Sequence, residues 1–206
     1  INEFFNIKSA RKILKKFGKA KIITTTNVFA HTGELKEFIL GLNLILSKNG
    51  VFVVENHYLK DIIDKIQFDS FYHEHLRTYS LLSLVRLMKY YGFRIIDAYT
   101  TDRYGGNIQA HFSLGNFKKS ENVNKILSKE IKDKLNKEVT YKKLKKDIEN
   151  IDYQISTFIN KNKHKKIVAK AFPARASILV HRFTSIKNNI SFVAEQPSSL
   201  KLNKYV

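Results

Sequence analysis

Four runs of β-branched and aromatic residues limit what this chain can fold into: KIITTTNVFAH (21–31), GVFVVEN (50–56), FRIIDAYTT (93–101) and GNIQAHFSL (106–114). Each is about the length of a buried strand, and apolar residues at helical spacing separate the first three. From Glu34 to Ser47, Leu35, Phe38, Ile39, Leu42 and Leu46 make one apolar helix face, stopped by Asn49-Gly50. A short helix over Leu59–Ile66 and a longer one over residues 80–93 precede the third run, with Ser80 as N-cap and Gly92 at the end. Upstream, Phe4, Phe5, Ile7, Ala10, Ile13 and Leu14 predict a helix over 3–17, closed by Gly18. Strands alternating with helices predict a parallel α/β sheet with right-handed crossovers. The turn Asp102–Gly106 is too short for a crossover, so the last two strands form an antiparallel hairpin.

The character of the chain changes after residue 117. Residues 120–163 are helical and lysine-rich, with narrow stripes at Val123, Leu127, Ile131 and Leu135 and again at Leu144, Ile148, Ile151, Ile155 and Phe158. KKIVAKAFPARASILVHRF then predicts strand, tight turn at Phe172-Pro173, and helix, and NISFVAEQ (189–196) a further strand. The expected division is 1–117 for one α/β domain and 118–206 for a helical connection plus part of a second, smaller α/β unit.

The net charge of +19 raises nucleic acid as a partner. Its make-up argues against it, because 30 of the 37 basic residues are Lys and 7 are Arg, the residue that base edges and phosphates select. Sixteen of those lysines fall between Lys118 and Lys170, on what reads as the solvated face of helices. No apolar run approaches the roughly 20 residues of a membrane span, and the helical stripes lack the Trp of a membrane-surface helix. Without cysteine, disulfides and thiolate metal sites are excluded. A cytoplasmic protein with no nucleic-acid or membrane partner is the expectation, and nothing in the sequence sets an oligomeric state.

In open parallel sheets ligands bind beyond the carboxyl ends of the strands. Three polar clusters fall there: Asn27–His31, Glu55–Tyr58, and the Tyr72–His75 loop within FDSFYHEHLRTYS. The loop has three readings. His73 and His75 lie at i, i+2 and could ligate a metal with His31 or Glu55 as third ligand, although HEHLR is not HExxH. Alternatively, a histidine titrating near neutrality removes a proton beside a carbonyl, oriented by a neighbouring carboxylate or phenol. A solvated loop is the third reading. In an extended loop Tyr72 and Glu74 would share one side and His73 and His75 the other. His57, His111, His164 and His181 read as structural.

The stretch FDSFYHEHLRTYSLLSLVRLMKYYGFRIIDAYTTDRYGGNIQAHFSL resembles the sugar C-methyltransferases, which use S-adenosylmethionine to methylate a carbon of a nucleotide-linked 4-keto-deoxysugar. The resemblance extends upstream through TNVFAHTGELKEFILGLNLILSKNGVFVVENHYL. Downstream it takes in IVAKAFPARASILVHRF and FVAEQPSSLKLNKYV. It implies the second half of a Rossmann-like class I methyltransferase sheet, followed by helices and a partial Rossmann-like C-terminal unit. It further implies His75 as a base generating a substrate enolate, Glu74 tuning or orienting it, Tyr72 as a second acid/base or oxyanion donor, and His31 as the other active-site histidine. Asn27, Val28 and Phe29 would lie near the cofactor's methionine end. No protein metal ligand is implied among these residues, zinc belonging to an N-terminal cysteine-rich domain that this chain lacks. The glycine-rich cofactor loop is likewise missing, so the chain reads as an internal fragment, and Ala171-Phe172, where the family has a glycine before Ala-Pro-Ala, argue against a phosphate-cradling role for this turn. The rivals are a metal-dependent enzyme using the His73-x-His75 loop and a basic, non-catalytic binding protein.

Overall fold

Residues Ala20–Thr26 (β1), Leu46–His57 (β2), Arg94–Thr101 (β3) and Asn107–Ser113 (β4) form one sheet in the order β1-β2-β4-β3. β1 and β2 are parallel, and β4 inserts antiparallel to both β2 and β3. The computed structural model describes residues 1–200 and 202, so the end of the FVAEQPSSLKLNKYV match, 201 and 203–206, lies outside the described residues. The chain divides into two compact units, Ile1–Lys65 with His73–Thr140, and Ile66–Tyr72 with Tyr141–Val206.

The first unit contains the predicted α/β sheet with its last strand reversed. One sheet face is apolar: Phe52, Val54, Ala98, Ile108, Ala110 and Phe112 are buried on it. It packs against Phe38, Ile39 and Leu42 of α2 (Leu35–Ile45) and Leu81, Leu84 and Met88 of α4 (Leu81–Tyr90). α4 starts where the sequence placed it, with Ser80 and Ser83 forming a reciprocal cap. The first helix, α1 (Ile7–Phe17), begins later than predicted, because Asn6 caps it through Ser9 and leaves Phe4 exposed. β2 begins earlier than predicted. Leu46 turns extended straight after α2 and pairs with Ala20, before a register shift carries the strand to Val51. β1 is an edge strand, with Lys21, Ile22, Thr24 and Thr26 exposed.

The other sheet face is polar across three strands. Gln109 Nε2 and Asn107 Nδ2 each donate to the buried Glu55 carboxylate at 2.9 Å. Gln109 Oε1 accepts from the Tyr99 hydroxyl and lies 2.9 Å from His111 Nε2. Burial holds His111 below the usual histidine range, with Asp97 acting in the opposite direction.

α5 (Glu121–Lys132) packs along β3 and so belongs with the first unit, rather than with the connection expected from residue 118 onward. It carries Glu130, a carboxylate 1% exposed that accepts from the Tyr58 hydroxyl (2.9 Å), the Leu81 amide (2.6 Å) and the Leu82 amide (2.9 Å). One side chain thus caps the start of α4 and holds the residue that follows β2. Close by, Lys60 of α3 (Leu59–Asp64) bridges Asp64 (2.6 Å) and Asp133 (2.7 Å).

In the second unit α6 (Glu138–Lys161) precedes β5 (Ile167–Lys170), α7 (Ala176–Arg182), α8 (Thr184–Asn189) and β6 (Ile190–Ala194), with β5 and β6 parallel. Leu144 and Ile159 of α6 are buried, while Phe158 of the predicted stripe is exposed. Arg175 pairs with Asp69 at 2.8 Å, and Phe68 packs edge-on against the buried Phe183. Ala171 sits at φ 62°, in the left-handed region that favours glycine. The Phe172 amide after it donates to Glu195 Oε1 at 2.7 Å. That amide is therefore committed inside the protein.

Replacing Glu130 by Ala removes a charged acceptor from three donors, two of them at a helix start. The expected cost is roughly 2–4 kcal/mol in urea denaturation, with Glu130→Gln costing less. Burial, together with the Glu130 charge, pushes the Tyr58 hydroxyl above the usual range. Burial raises Tyr79 to about 12, against an opposing Arg77. Both folded values lie above the unfolded one, so their stabilisation is full below roughly pH 10 and is lost as pH rises further. Tyr58→Phe is expected to flatten that alkaline loss of stability.

Candidate active site

The ends of β1 and β2 are joined before any loop is added. The Asn27 amide donates to the Glu55 carbonyl at 2.8 Å, and Asn27 then turns at φ 52°, a conformation asparagine tolerates better than most residues. The chain next makes a 3-10 turn at Phe29–His31, anchored by Phe29 and Ala30 in the core. Phe29 packs against Phe38, Phe52 and Tyr79. Its ring is therefore structural, and only its backbone could meet a ligand. Val28 is exposed, and His31 stands exposed at the end of the turn.

β2 ends at His57, which pairs with Asn107. The next residue, Tyr58, donates its amide to the Gly106 carbonyl at 3.1 Å, which fixes the β3–β4 turn beside the strand end. Gly106 has φ 134° and no room for a side chain, since an added Cβ would lie 2.6 Å from Asp61 Cβ. Tyr104 in the same turn takes φ 53°, and its ring lies 6.3 Å from that of His57. Such strained positions concentrate at functional sites.

The loop carrying His75 is held to the loop carrying His31 by Arg77, whose Nη1 donates to the Thr32 carbonyl at 2.6 Å and Nη2 to the Gly33 carbonyl at 3.3 Å. In consequence three imidazoles meet. The His75 ring lies 4.8 Å from His31 at 65° and 5.0 Å from His57 at 88°, both edge to face. His31 and His75 were expected from the sequence and are brought together. His57, read as structural, has its ring 5.0 Å from that of His75. The signal was available in the ENHY run, since a histidine ending a buried strand sits where ligands bind.

Residues 72–74 form a bend and turn instead of an extended segment, so the expected alternation of sides does not hold. His73 and Glu74 are exposed on that turn. Tyr72 is half-buried and falls within the second unit. No group of three or more His, Cys, Asp or Glu side chains among the described residues is placed to hold a metal ion. The rings against His75 belong to His31 and His57, not to a His73-x-His75 pair. Among the described residues no helix is long and apolar enough to cross a membrane.

Comparison with known proteins adds family relationships. Residues 102–206 match the C-methyltransferase C-terminal domain. The C-methyltransferase NovU of Streptomyces niveus is 34% identical over 104 residues, which make up 50% of this chain and 25% of that protein. The chain thus aligns with about a quarter of the length of this relative. Among solved structures, a SAM-dependent methyltransferase from Anabaena variabilis superposes with a TM-score of 0.38 at 14% identity, covering 52% of this chain and 54% of that one.

If Arg77 holds the two histidine loops together, Arg77→Ala should loosen both. Hydrogen–deuterium exchange of residues 27–33 is expected to rise about tenfold or more, consistent with losing charged hydrogen bonds of roughly 1.5–3 kcal/mol. Exchange in β4 should stay as in the parent chain.

Proposed function

The chain belongs to the C-methyltransferase family, and we propose that it forms the proton-handling edge of an enzyme that methylates a carbon beside a ketone. The substrate class is a nucleotide-linked 4-keto-deoxysugar and the methyl donor S-adenosylmethionine. The observation that carries this reading is the meeting of His31, His57 and His75 at the carboxyl ends of β1 and β2. A neutral imidazole there can accept the proton on the carbon next to the keto group. The electron pair left behind spreads onto the ketone oxygen, and that developing oxyanion needs a hydrogen-bond donor. In this reading His75 is the base and Glu74 tunes or orients it. Tyr72 and His31 are the candidates for stabilising the enolate oxygen or returning a proton.

The residues present fit the methionine end of the donor. The Asn27 backbone is fixed in a left-handed turn, its neighbour Val28 is open to solvent, and both lie beyond the end of β1. Asn27 and Val28, with the backbone of Phe29, would hold that end. When bound, S-adenosylmethionine supplies an electrophilic methyl group. The strand-end histidines then keep the proton taken from substrate away from the carbon being methylated.

The test is His75→Asn in the full-length enzyme, assayed for methyl transfer to a nucleotide-linked 4-keto-deoxysugar. Loss of a general base is expected to lower kcat by about 10²- to 10⁴-fold, while cofactor binding measured by calorimetry stays unchanged. Turnover within a few-fold of wild type would show that His75 is not the base. Retained turnover on a different ketone, with none on the nucleotide sugar, would overturn the substrate class alone.

A further inference from the structure

We propose that His57 is a positioning residue that fixes the orientation of His75. The inference rests on the reading of His75 as the base and adds a residue to it. The two histidines differ in how their backbones are held. His57 closes a strand: it pairs with Asn107 across to β4, and Tyr58 beside it is pinned through its amide to Gly106 and through its hydroxyl to Glu130. His75 lies in irregular chain, which Arg77, two residues further on, ties to the Thr32 carbonyl. A ring on a rigid strand end therefore stands against a ring on a loop, at 5.0 Å between centroids and 88° between planes. That is the edge-to-face geometry that aromatic pairs prefer.

His31 meets the same ring at 4.8 Å and 65°. Tyr104 continues the series beyond His57 at 6.3 Å, on a turn locked by Lys65, whose Nζ donates to the Gly105 carbonyl at 2.7 Å. His57 and His75 are half-buried and His31 is exposed. His57 thus backs His75 from the side of the sheet. Displacing a reacting group by about 1 Å can cost on the order of 10²-fold in rate, so the orientation of the His75 ring is a quantity the fold has reason to fix.

The experiment compares His57→Ala and His57→Phe in the full-length enzyme, with His75→Asn alongside. His57→Ala is expected to lower kcat about 10- to 100-fold, with KM for the sugar and affinity for the cofactor unchanged. His57→Phe keeps a ring of similar breadth and is expected to restore most of that loss. In parallel, the His75 ring-proton resonance of the chain should shift when the ring current of residue 57 is removed by Ala, and shift much less with Phe. The inference is overturned if His57→Ala turns over within twofold of wild type. It is equally overturned if Phe is no better than Ala, or if the His75 resonance does not respond. Should His75→Asn itself retain turnover, the base assignment fails, and the resonance comparison still decides whether His57 holds the ring.

Discussion

The Glu130 carboxylate is the interaction on which the arrangement of the first unit depends. It is buried, and its position in the sequence lies 49 residues beyond Leu81 and 72 beyond Tyr58, yet it bonds both. A buried charge is tolerated only where hydrogen bonds replace the water it loses. Here two amides at the start of α4 and one phenol do so. The effect reaches further than local stability. His57 precedes Tyr58, and the loop with His75 ends at Leu81, so one carboxylate fixes where both histidine-bearing segments meet the sheet.

Around that anchor the strand-end site is assembled from segments with little structure of their own. Phe29 secures the His31 turn by sinking its ring into the core, and Arg77 ties the His75 loop to the carbonyls of Thr32 and Gly33. Gly106 lets the β3–β4 turn press against Asp61, which puts Tyr104 beside His57. Each contact is modest alone. Together they bring the rings of His31 and His57, from separate parts of the chain, against that of His75, at 4.8 and 5.0 Å between centroids.

The strand pattern was legible because burial on a sheet imposes β-branched and aromatic runs, and Ser80 was legible because capping is local chemistry. His31 and His75 could be singled out by their positions after strands and within NVFAH and YHEH. Two contributors could not be read in the same way. Glu130 sits in a lysine-rich helix where a carboxylate looks like one more solvated charge, and its partners are far away in sequence. Arg77 works through backbone carbonyls, which leave no residue signature at Thr32 or Gly33. The turn at residues 72–74 leaves no alternating pattern to read, because turn residues do not share the two-residue side-chain period of extended chain.

β1 lies at the edge of the four-stranded sheet, the side on which the first half of the sheet implied by the resemblance would join. Its outer side presents exposed Ile22, Thr24 and Thr26, a surface on which another strand could add. Lys19 and Lys21 flank that surface, and the chain as a whole carries +19.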